Sequence, residues 1–233
     1  MTRNKIGLIG AMVEEIRLME EKLEQETVTV KAGIRFMEGT LNGKPVVLCK
    51  SGVGKVNAAV CTQILIDRFG ADAVIFTGVA GALDPSLDIG DVVVSTECVQ
   101  HDMDASPLGF PRGTIPFADT SVFPADPELV RLAYEASKAL PGGRVLKGRV
   151  LSGDQFVADR ETVRRLHEEL QGVCVEMEGA AVAQVCAMNG VPYVVIRSMS
   201  DKADGSAHVN FAEFAVQAAN RSCQIVNRML LDM

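Results

Sequence analysis

The pattern of apolar and polar positions predicts strands alternating with helices. Short continuous apolar runs, typical of buried strands, occur at KIGLIG, AVIFT, VCVEM and VPYVVIRS. Between them lie longer stretches with helical periodicity, one of which ends at Gly70, a common helix stop. This alternation predicts an α/β fold with a central mixed β-sheet flanked by helices. No repeat, linker or shift in composition divides the chain, so we expect a single domain over residues 1–233.

An antiparallel insertion interrupts this alternation near the start. The apolar stripe after the first strand predicts a helix to about Glu26, and three strand-like runs follow within residues 28–50. Asn42 and Gly43 separate two of these runs and predict a tight β-hairpin.

Two glycine-rich stretches are predicted to be irregular. The strand at residues 73–77 is expected to break at GVAGALDP, which favours a turn. Residues 102–125 are rich in proline and glycine, and a loop of this length is commonly functional.

Composition and charge exclude several classes of protein. Among the 233 residues the formal net charge is −7, and no Lys/Arg block suits a phosphate backbone, so we expect no nucleic-acid partner. Six scattered cysteines without a CxxC pair favour buried, reduced thiols and a cytoplasmic location. The start of the sequence does not resemble a signal peptide, and no apolar run approaches the ~18 residues of a membrane span.

Three acids and an arginine fall at the ends of separate predicted strands. Glu15, Glu178, Asp201 and Arg197 follow strands whose ends would meet at one edge of the sheet, where ligands bind in such folds. A purely structural role remains open for Glu15 and for Arg197. Glu14 and Glu15 could simply complement the positive end of a helix, and Arg197 could pair with Asp201 to close a loop.

The stretch CVEMEGAA carries two acids in an apolar setting. Because burying a charge is costly without a partner, both need a reason to be there. We expect Glu178 to lie at the junction between a strand and the helix that starts at Gly179. We interpret Glu176 as a supporting residue.

Six segments in register resemble one enzyme family. GLIGAMVEE, SGVGKVNAA, TGVAGALDP, SGDQF, VEMEGAA and RSMSDKADG resemble the 5′-methylthioadenosine/S-adenosylhomocysteine nucleosidases of the purine nucleoside phosphorylase superfamily. The resemblance runs from about residue 5 to the last helix. It implies a nucleoside phosphorylase/hydrolase-like fold and hydrolysis of the adenine N-glycosidic bond of methylthioadenosine, S-adenosylhomocysteine and 5′-deoxyadenosine. It implies no metal and no organic cofactor.

The resemblance assigns catalytic roles to three residues. By motif, Glu15 activates the attacking water, Asp201 protonates adenine N7, and Arg197 helps to hold the water and the acids. This division suits the reaction, because positive charge develops on the ribose while adenine needs a proton to leave. An acid that serves N7 near neutral pH should have a raised pKa or share its proton with the ligand.

The resemblance also implies a binding pocket. Glu178 and the Met177 backbone hold the ribose hydroxyls, the Val157 backbone reads the adenine edge, and Phe156 stacks on the base, although a lone Phe is more typical of a core. The wall around the ribose and 5′ group comprises Met12, Val53, Val79, Ala105, Leu108, Phe110 and Phe211. Family members are homodimers in which the partner completes the 5′ pocket, so we expect a homodimer here.

Val79 departs from the commoner family pattern. Many members have TGSAGG where this chain has TGVAGA, so a serine hydroxyl near the N7 acid is absent. Val79 and the loop QHDMD resemble a branch that also cleaves 6-amino-6-deoxyfutalosine in a menaquinone route, and that hydrolase activity is the main alternative. His101, Asp102 and Asp104 suggest a metal site, but a loop hydrogen-bonding network explains them better.

Two further alternatives are a nucleoside phosphorylase and a nucleoside-binding protein without catalysis. A phosphorylase needs a cationic or amide-rich phosphate site. Glu15, where the nucleophile would lie, repels phosphate but suits water. A protein that only binds nucleosides would be expected to have lost Glu15 or Asp201, and both are present.

Overall fold

The computed structural model describes residues 4–202 and 214–233, together with the backbone of residues 207–213. Within these residues the strands are β1 (Ile6–Gly10), β2 (Glu24–Lys31), β3 (Ile34–Leu41), β4 (Lys44–Lys50), β5 (Ala73–Ala82), β6 (Val92–Gln100), β7 (Val122–Pro124), β8 (Val145–Ser152), β9 (Gly172–Glu176) and β10 (Tyr193–Asp201). The helices are α1 (Val13–Glu20), α2 (Lys55–Phe69), α3 (Pro127–Lys138), α4 (Arg160–Leu170), α5 (Gly179–Asn189) and α6 (Ala207–Asp232).

The strands form one mixed sheet, part of which closes into a ring. β5 pairs in parallel with β1 and β10, and its end at Gly81 and Ala82 pairs antiparallel with β9. The order β5–β10–β6–β8–β9 returns to β5, while β1, β4, β3 and β2 extend from β5 as an open sheet. This architecture confirms the predicted α/β fold with a central mixed sheet.

Helices cover both faces of the sheet, which explains the continuous apolar runs. On β5, Phe76 belongs to the core that contains residues of α2 and α5, whereas Ile75 belongs to the core that contains residues of α1, α3 and α6. A strand buried on both sides needs apolar residues at successive positions. None of the helices in the described part of the chain has the length and apolar character to cross a bilayer. All six cysteines are free and buried, as predicted.

Two of the local predictions are confirmed in detail. The turn between β3 and β4 places Asn42 at φ 51° and Gly43 at φ 73°, the left-handed pair that a two-residue hairpin requires. α2 ends at Gly70, whose φ of 69° gives the expected left-handed cap.

The prediction of a first helix reaching Glu26 was wrong. α1 ends at Glu20, and β2 starts at Glu24 and pairs antiparallel with β3. Leu23 packs so closely over Gly39 of β3 that a side chain on Gly39 would collide with it. Pairing with β3 therefore overrides the helical periodicity of the local sequence.

The predicted turn after residue 77 was also wrong. β5 continues through the glycine-rich stretch to Ala82, and β10 likewise extends to Asp201. Gly78 makes room for neighbouring side chains, and the glycines of β5 do not reverse the chain here. Arg197 and Asp201 consequently lie within a strand, and Arg197 forms an ion pair with Glu176.

Candidate active site

A cavity of about 300 Å³ opens where the ends of β5, β9 and β10 meet the start of α1. Glu15, Glu178 and Asp201, the acids that the sequence predicts to lie at one site, all line this cavity. The residues that line it are Ala11, Met12, Glu15, Val53, Val79, Ala80, Gly81, Gln155, Phe156, Val157, Val175, Glu176, Met177, Glu178, Ser200 and Asp201.

Glu15 is turned into the protein from the first turn of α1. Its side chain is buried, with 3% of the residue exposed, whereas the neighbouring Glu14 is exposed. One carboxylate oxygen accepts hydrogen bonds from the Ala11 N–H at 2.6 Å and the Met12 N–H at 2.9 Å, and the other accepts from the Val79 N–H at 3.1 Å. Burial raises the pKa of Glu15 despite these donors and the nearby Arg197. Of the two interpretations of this pair of acids, the structure supports the one in which an acid faces the cleft.

Glu178 occupies the N-cap position of α5, at the predicted junction between strand and helix, and its side chain makes no capping hydrogen bond. Its Oε1 accepts a hydrogen bond from the Gly54 N–H at 2.8 Å. Burial, reinforced by the charge of Glu176, raises the pKa of Glu178 to about 8. A carboxyl group in this state takes up or gives up a proton near neutral pH.

Glu176 is held by an internal ion pair. Its Oε2 lies 2.5 Å from Nη2 of Arg197, and its Oε1 accepts from the Ser152 hydroxyl. The Gly179 N–H donates to both oxygens, at 2.8 and 2.9 Å. The structure thus agrees with the supporting role assigned to Glu176, whose lone pairs are occupied by protein donors.

Arg197 lies beneath the cavity and is nearly fully buried. Its guanidinium stacks 3.9 Å from the centre of the Phe76 ring. The charges of Glu176, Glu15 and Glu178 hold the Arg197 pKa above its ordinary value although burial opposes this. Arg197 therefore supplies a permanent positive charge below the acids.

Gly78 of β5 allows Glu15 and Arg197 to approach each other. A Cβ at Gly78 would stand 2.8 Å from Arg197 Nη1 and even closer to Glu15 Oε1. A Cβ atom cannot lie this close to its neighbours. Glycine is therefore required at position 78 because of the limited space, and not because of its backbone conformation.

Asp201 and Val79 form a further wall of the cavity. Asp201 is buried at the end of β10, and its Oδ2 accepts from the Ser200 hydroxyl at 2.9 Å. Val79 packs against Ala218 and Ala219 of α6. The backbone of Val79 contacts Glu15, while its side chain makes this wall apolar where the commoner family sequence has a hydroxyl.

The loop after β8 provides an aromatic wall. Phe156 is 52% exposed and faces the cavity mouth, whereas Val157 is buried in a small core with residues such as Leu166. Phe156 thus lies at the cavity mouth with half its surface exposed, in contrast to the core position that a lone Phe usually takes.

Among the residues whose side chains are described, three predicted wall residues do not line the cavity. Ala105, Leu108 and Phe110 lie in the loop between β6 and β7, and Leu108 is 71% exposed. Phe211 lies outside the residues whose side chains are described. The remaining predicted wall residues, Met12, Val53 and Val79, do line the cavity.

Sequence reasoning missed three polar contributors. Ser152 donates to Glu176 and accepts from the Ala180 N–H at 2.6 Å, Ser200 donates to Asp201, and the Gly54 N–H donates to Glu178. All three lie within the segments SGDQF, RSMSDKADG and SGVGKVNAA. The partners of Ser152 and Gly54 are far away in sequence, whereas Ser200 contacts the adjacent Asp201. Among the described residues, no group of three His, Cys, Asp or Glu side chains is arranged to hold a metal ion.

Comparison with known proteins gives consistent results over the whole fold. The profile described as the phosphorylase superfamily matches residues 5–231. The chain is 42% identical to the 5′-methylthioadenosine/S-adenosylhomocysteine nucleosidase of Bacillus cytotoxicus, across 98% of this chain and 99% of that one. It superposes with a TM-score of 0.94 on the nucleosidase of the same name from Neisseria meningitidis in complex with methylthio-immucillin-A, at 39% identity over 99% and 100% of the two chains. Futalosine hydrolase of Helicobacter pylori is also similar, with a TM-score of 0.92 and 35% identity over 99% and 98%.

Proposed function

This chain belongs to the phosphorylase superfamily and, within it, to the 5′-methylthioadenosine/S-adenosylhomocysteine nucleosidases, and from this we propose how its cavity hydrolyses methylthioadenosine and S-adenosylhomocysteine to adenine and the corresponding thioribose. The observation that carries the proposal is the convergence of Glu15, Glu178 and Asp201 on one cavity of nucleoside size.

Glu15 activates the attacking water in this proposal. Its raised pKa suits a carboxylate that takes a proton from water as the oxygen attacks the anomeric carbon. Three backbone N–H groups fix its orientation. Arg197, held by Glu176, stabilises the ionised form of Glu15 before the attack.

Asp201 serves the leaving group on the other side of the substrate. As the bond from the anomeric carbon to N9 breaks, Asp201 donates a proton to adenine N7, and adenine departs as a neutral base. Phe156 stacks on the base and the Val157 backbone contacts its edge, so the base is held while the proton is transferred.

Glu178 and the Met177 backbone hold the ribose hydroxyls. The carboxylate accepts from the hydroxyls and, together with Glu15, places negative charge near the cation that develops on the sugar. Met12, Val53 and Val79 provide apolar contacts for the remainder of the substrate.

The charge of the cavity favours water over phosphate as the nucleophile. Among the described residues that line it, Glu15, Glu176, Glu178 and Asp201 are acids and none is lysine or arginine. A phosphate dianion in this position would meet repulsion without a cationic partner. This argues against a phosphorylase.

An adenine-release assay tests the proposal. Purified protein is incubated with methylthioadenosine, S-adenosylhomocysteine and 5′-deoxyadenosine, each with and without phosphate. We expect equal adenine release in both conditions. Strict dependence on phosphate would indicate a phosphorylase, and binding without any adenine release would indicate a protein that only binds nucleosides.

Aminofutalosine is the remaining alternative substrate. The similarity to futalosine hydrolase of Helicobacter pylori motivates including it, but the nucleosidases among the relatives do not favour it as the main substrate. A kcat/KM for 6-amino-6-deoxyfutalosine far above that for methylthioadenosine would reverse this order.

We further propose a cytoplasmic homodimer that acts in methionine salvage. The exposed side chains of Val53, Val56 and Val60 form an apolar stripe that runs from the cavity mouth along α2. A second chain on this stripe would bring its own Leu108 and Phe110 within reach of the cavity mouth. The partner would thereby complete the 5′ pocket.

A further inference from the structure

Three residues outside the cavity form a closed ring of hydrogen bonds, which we call the polar ring. Lys55 Nζ donates to Asp102 Oδ1 at 2.7 Å, and the Asp154 N–H donates to Asp102 Oδ2 at 2.9 Å. The Lys55 N–H then donates to Asp154 Oδ1 at 2.8 Å and closes the ring. The ring joins the start of α2, the end of β6 and the loop after β8.

The ring is shielded enough from water for its ion pair to be effective. The side chains of Lys55 and Asp102 are 18% and 16% exposed. Burial acts to raise the pKa of Asp102, yet the hydrogen bonds from Lys55 and the Asp154 N–H keep it below its ordinary value. A partly desolvated pair held in one geometry contributes more than an exposed one.

The ring is anchored to the rest of the site on two sides. Lys55 Nζ also donates to Gln100 Oε1 at 2.9 Å, and Gln100 donates to Gln184 of α5 at 2.5 Å. Gly54 has a φ of 98°, and a Cβ there would stand 3.1 Å from Asp154 Oδ1. The ring therefore packs directly against the backbone that precedes α2.

Two walls of the cavity depend on the segments that the ring joins. The Gly54 N–H, one residue before Lys55, is the donor to Glu178. Gln155, Phe156 and Val157 directly follow Asp154 and form the base side of the cavity. No member of the ring lines the cavity itself, so its influence on substrate must pass through these neighbours.

On the basis of the proposed function, we propose that Lys55 and Asp102 are positioning residues, which hold the Gly54 N–H against Glu178 and the loop of residues 154–157 over the cavity. One ion pair thereby fixes both the ribose side and the base side of the nucleoside site. These contacts exist before the substrate reacts and persist during the reaction. Their loss should weaken substrate binding more than it slows the chemical step.

Asp102→Asn tests this role directly. Asparagine offers one acceptor oxygen where the ring uses two, so either Lys55 or the Asp154 N–H loses its partner. We expect KM for methylthioadenosine to rise about tenfold while kcat changes less than about threefold. The Kd for adenine alone, measured by calorimetry, should rise in parallel because the base side loosens.

Glu97→Gln is the matched control. Glu97 lies on β6, the strand that ends two residues before Asp102, and forms a partly exposed ion pair with Arg149 of β8 that is absent from the cavity lining. Both substitutions replace a carboxylate with an amide and remove one negative charge. For Glu97→Gln, however, KM and kcat should stay at wild-type values. An equal rise in KM for Glu97→Gln would overturn the proposal, since any broken ion pair would then suffice.

Lys55→Met gives a second, independent test and covers a failure of Asp102→Asn to fold. We expect the same rise in KM, and the double variant should be no worse than either single one because both break one ring. Unchanged KM in a folded Lys55→Met or Asp102→Asn protein would overturn the inference. Adenine release by the wild-type protein is measured in the same assay. If the wild type releases no adenine, the proposed function is refuted; if it does and only the variants behave unexpectedly, the positioning role alone is refuted.

Discussion

Glu176 and Glu178 show how differently two neighbouring carboxylates can be treated. Glu176 accepts hydrogen bonds from a guanidinium, a hydroxyl and backbone N–H groups, whereas Glu178 accepts one from the Gly54 N–H. The first is neutralised by protein, and the second keeps capacity for a ligand. Burial raises the pKa of Glu178 to about 8 in the free protein, which disfavours its ionised form.

Glu178→Gln should stabilise the free protein in a pH-dependent manner. The folded protein holds the Glu178 proton up to about pH 8, whereas the unfolded chain releases it near the ordinary value of 4.5. Stability from this group is therefore lost as pH rises from 4.5 towards 8. The variant should melt roughly 5 °C higher than wild type above pH 8 and about equally near pH 4.5.

Glu15→Gln should fold normally and lose turnover. The amide keeps the shape of the side chain but cannot take a proton from water, so kcat should fall by a factor on the order of 10²–10⁴. Glu14→Gln makes the same change one residue earlier, on an exposed side chain, and should retain wild-type kcat. Near-normal turnover of folded Glu15→Gln in the adenine-release assay would refute the role of Glu15.

At the level of elements, the sequence predicts strands and helices better than their ends. Hairpin chemistry at Asn42 and the cap at Gly70 are local, and both are confirmed. The extent of β5 is not a local property, because Gly78 accommodates Glu15 and Arg197, which lie far away in sequence. The pairing of Glu176 with Arg197 likewise depends on how β9 and β10 are brought together. The sequence could therefore predict that the acids lie at the site, but not which residues they pair with.

Gly78→Ala tests why β5 carries glycine at this point. The added methyl group would overlap Glu15 and crowd Arg197, so we expect a loss of about 1–3 kcal/mol of stability and a marked loss of turnover. Gly7→Ala in neighbouring β1 is the control, because the added Cβ would approach apolar side chains and not Glu15 or Arg197. It would lie 3.3 Å from Leu65 and 3.4 Å from Ala71. It should keep turnover, as measured by adenine release alongside thermal unfolding. Full activity of Gly78→Ala would show that Glu15 tolerates displacement.

On the scale of the whole molecule, the apolar stripe of α2 is the surface to test for assembly. Val56→Glu places a charge in the middle of the stripe and should convert the proposed dimer into a monomer in light scattering, with a higher KM because the 5′ pocket is left open. Val30→Glu alters another exposed valine, on strand β2 at the edge of the open sheet, and should leave the mass unchanged. A wild-type protein that is monomeric at all concentrations would refute the dimer.

The placement of Leu108 and Phe110 outside the cavity of their own chain has a kinetic consequence. If each pocket borrows these side chains from a second chain, catalytic competence is acquired only on encounter, and the specific activity becomes a function of dilution. Progress curves started from a dilute stock would then show a lag that shortens as the enzyme concentration rises. Enzyme pre-incubated at high concentration would show none.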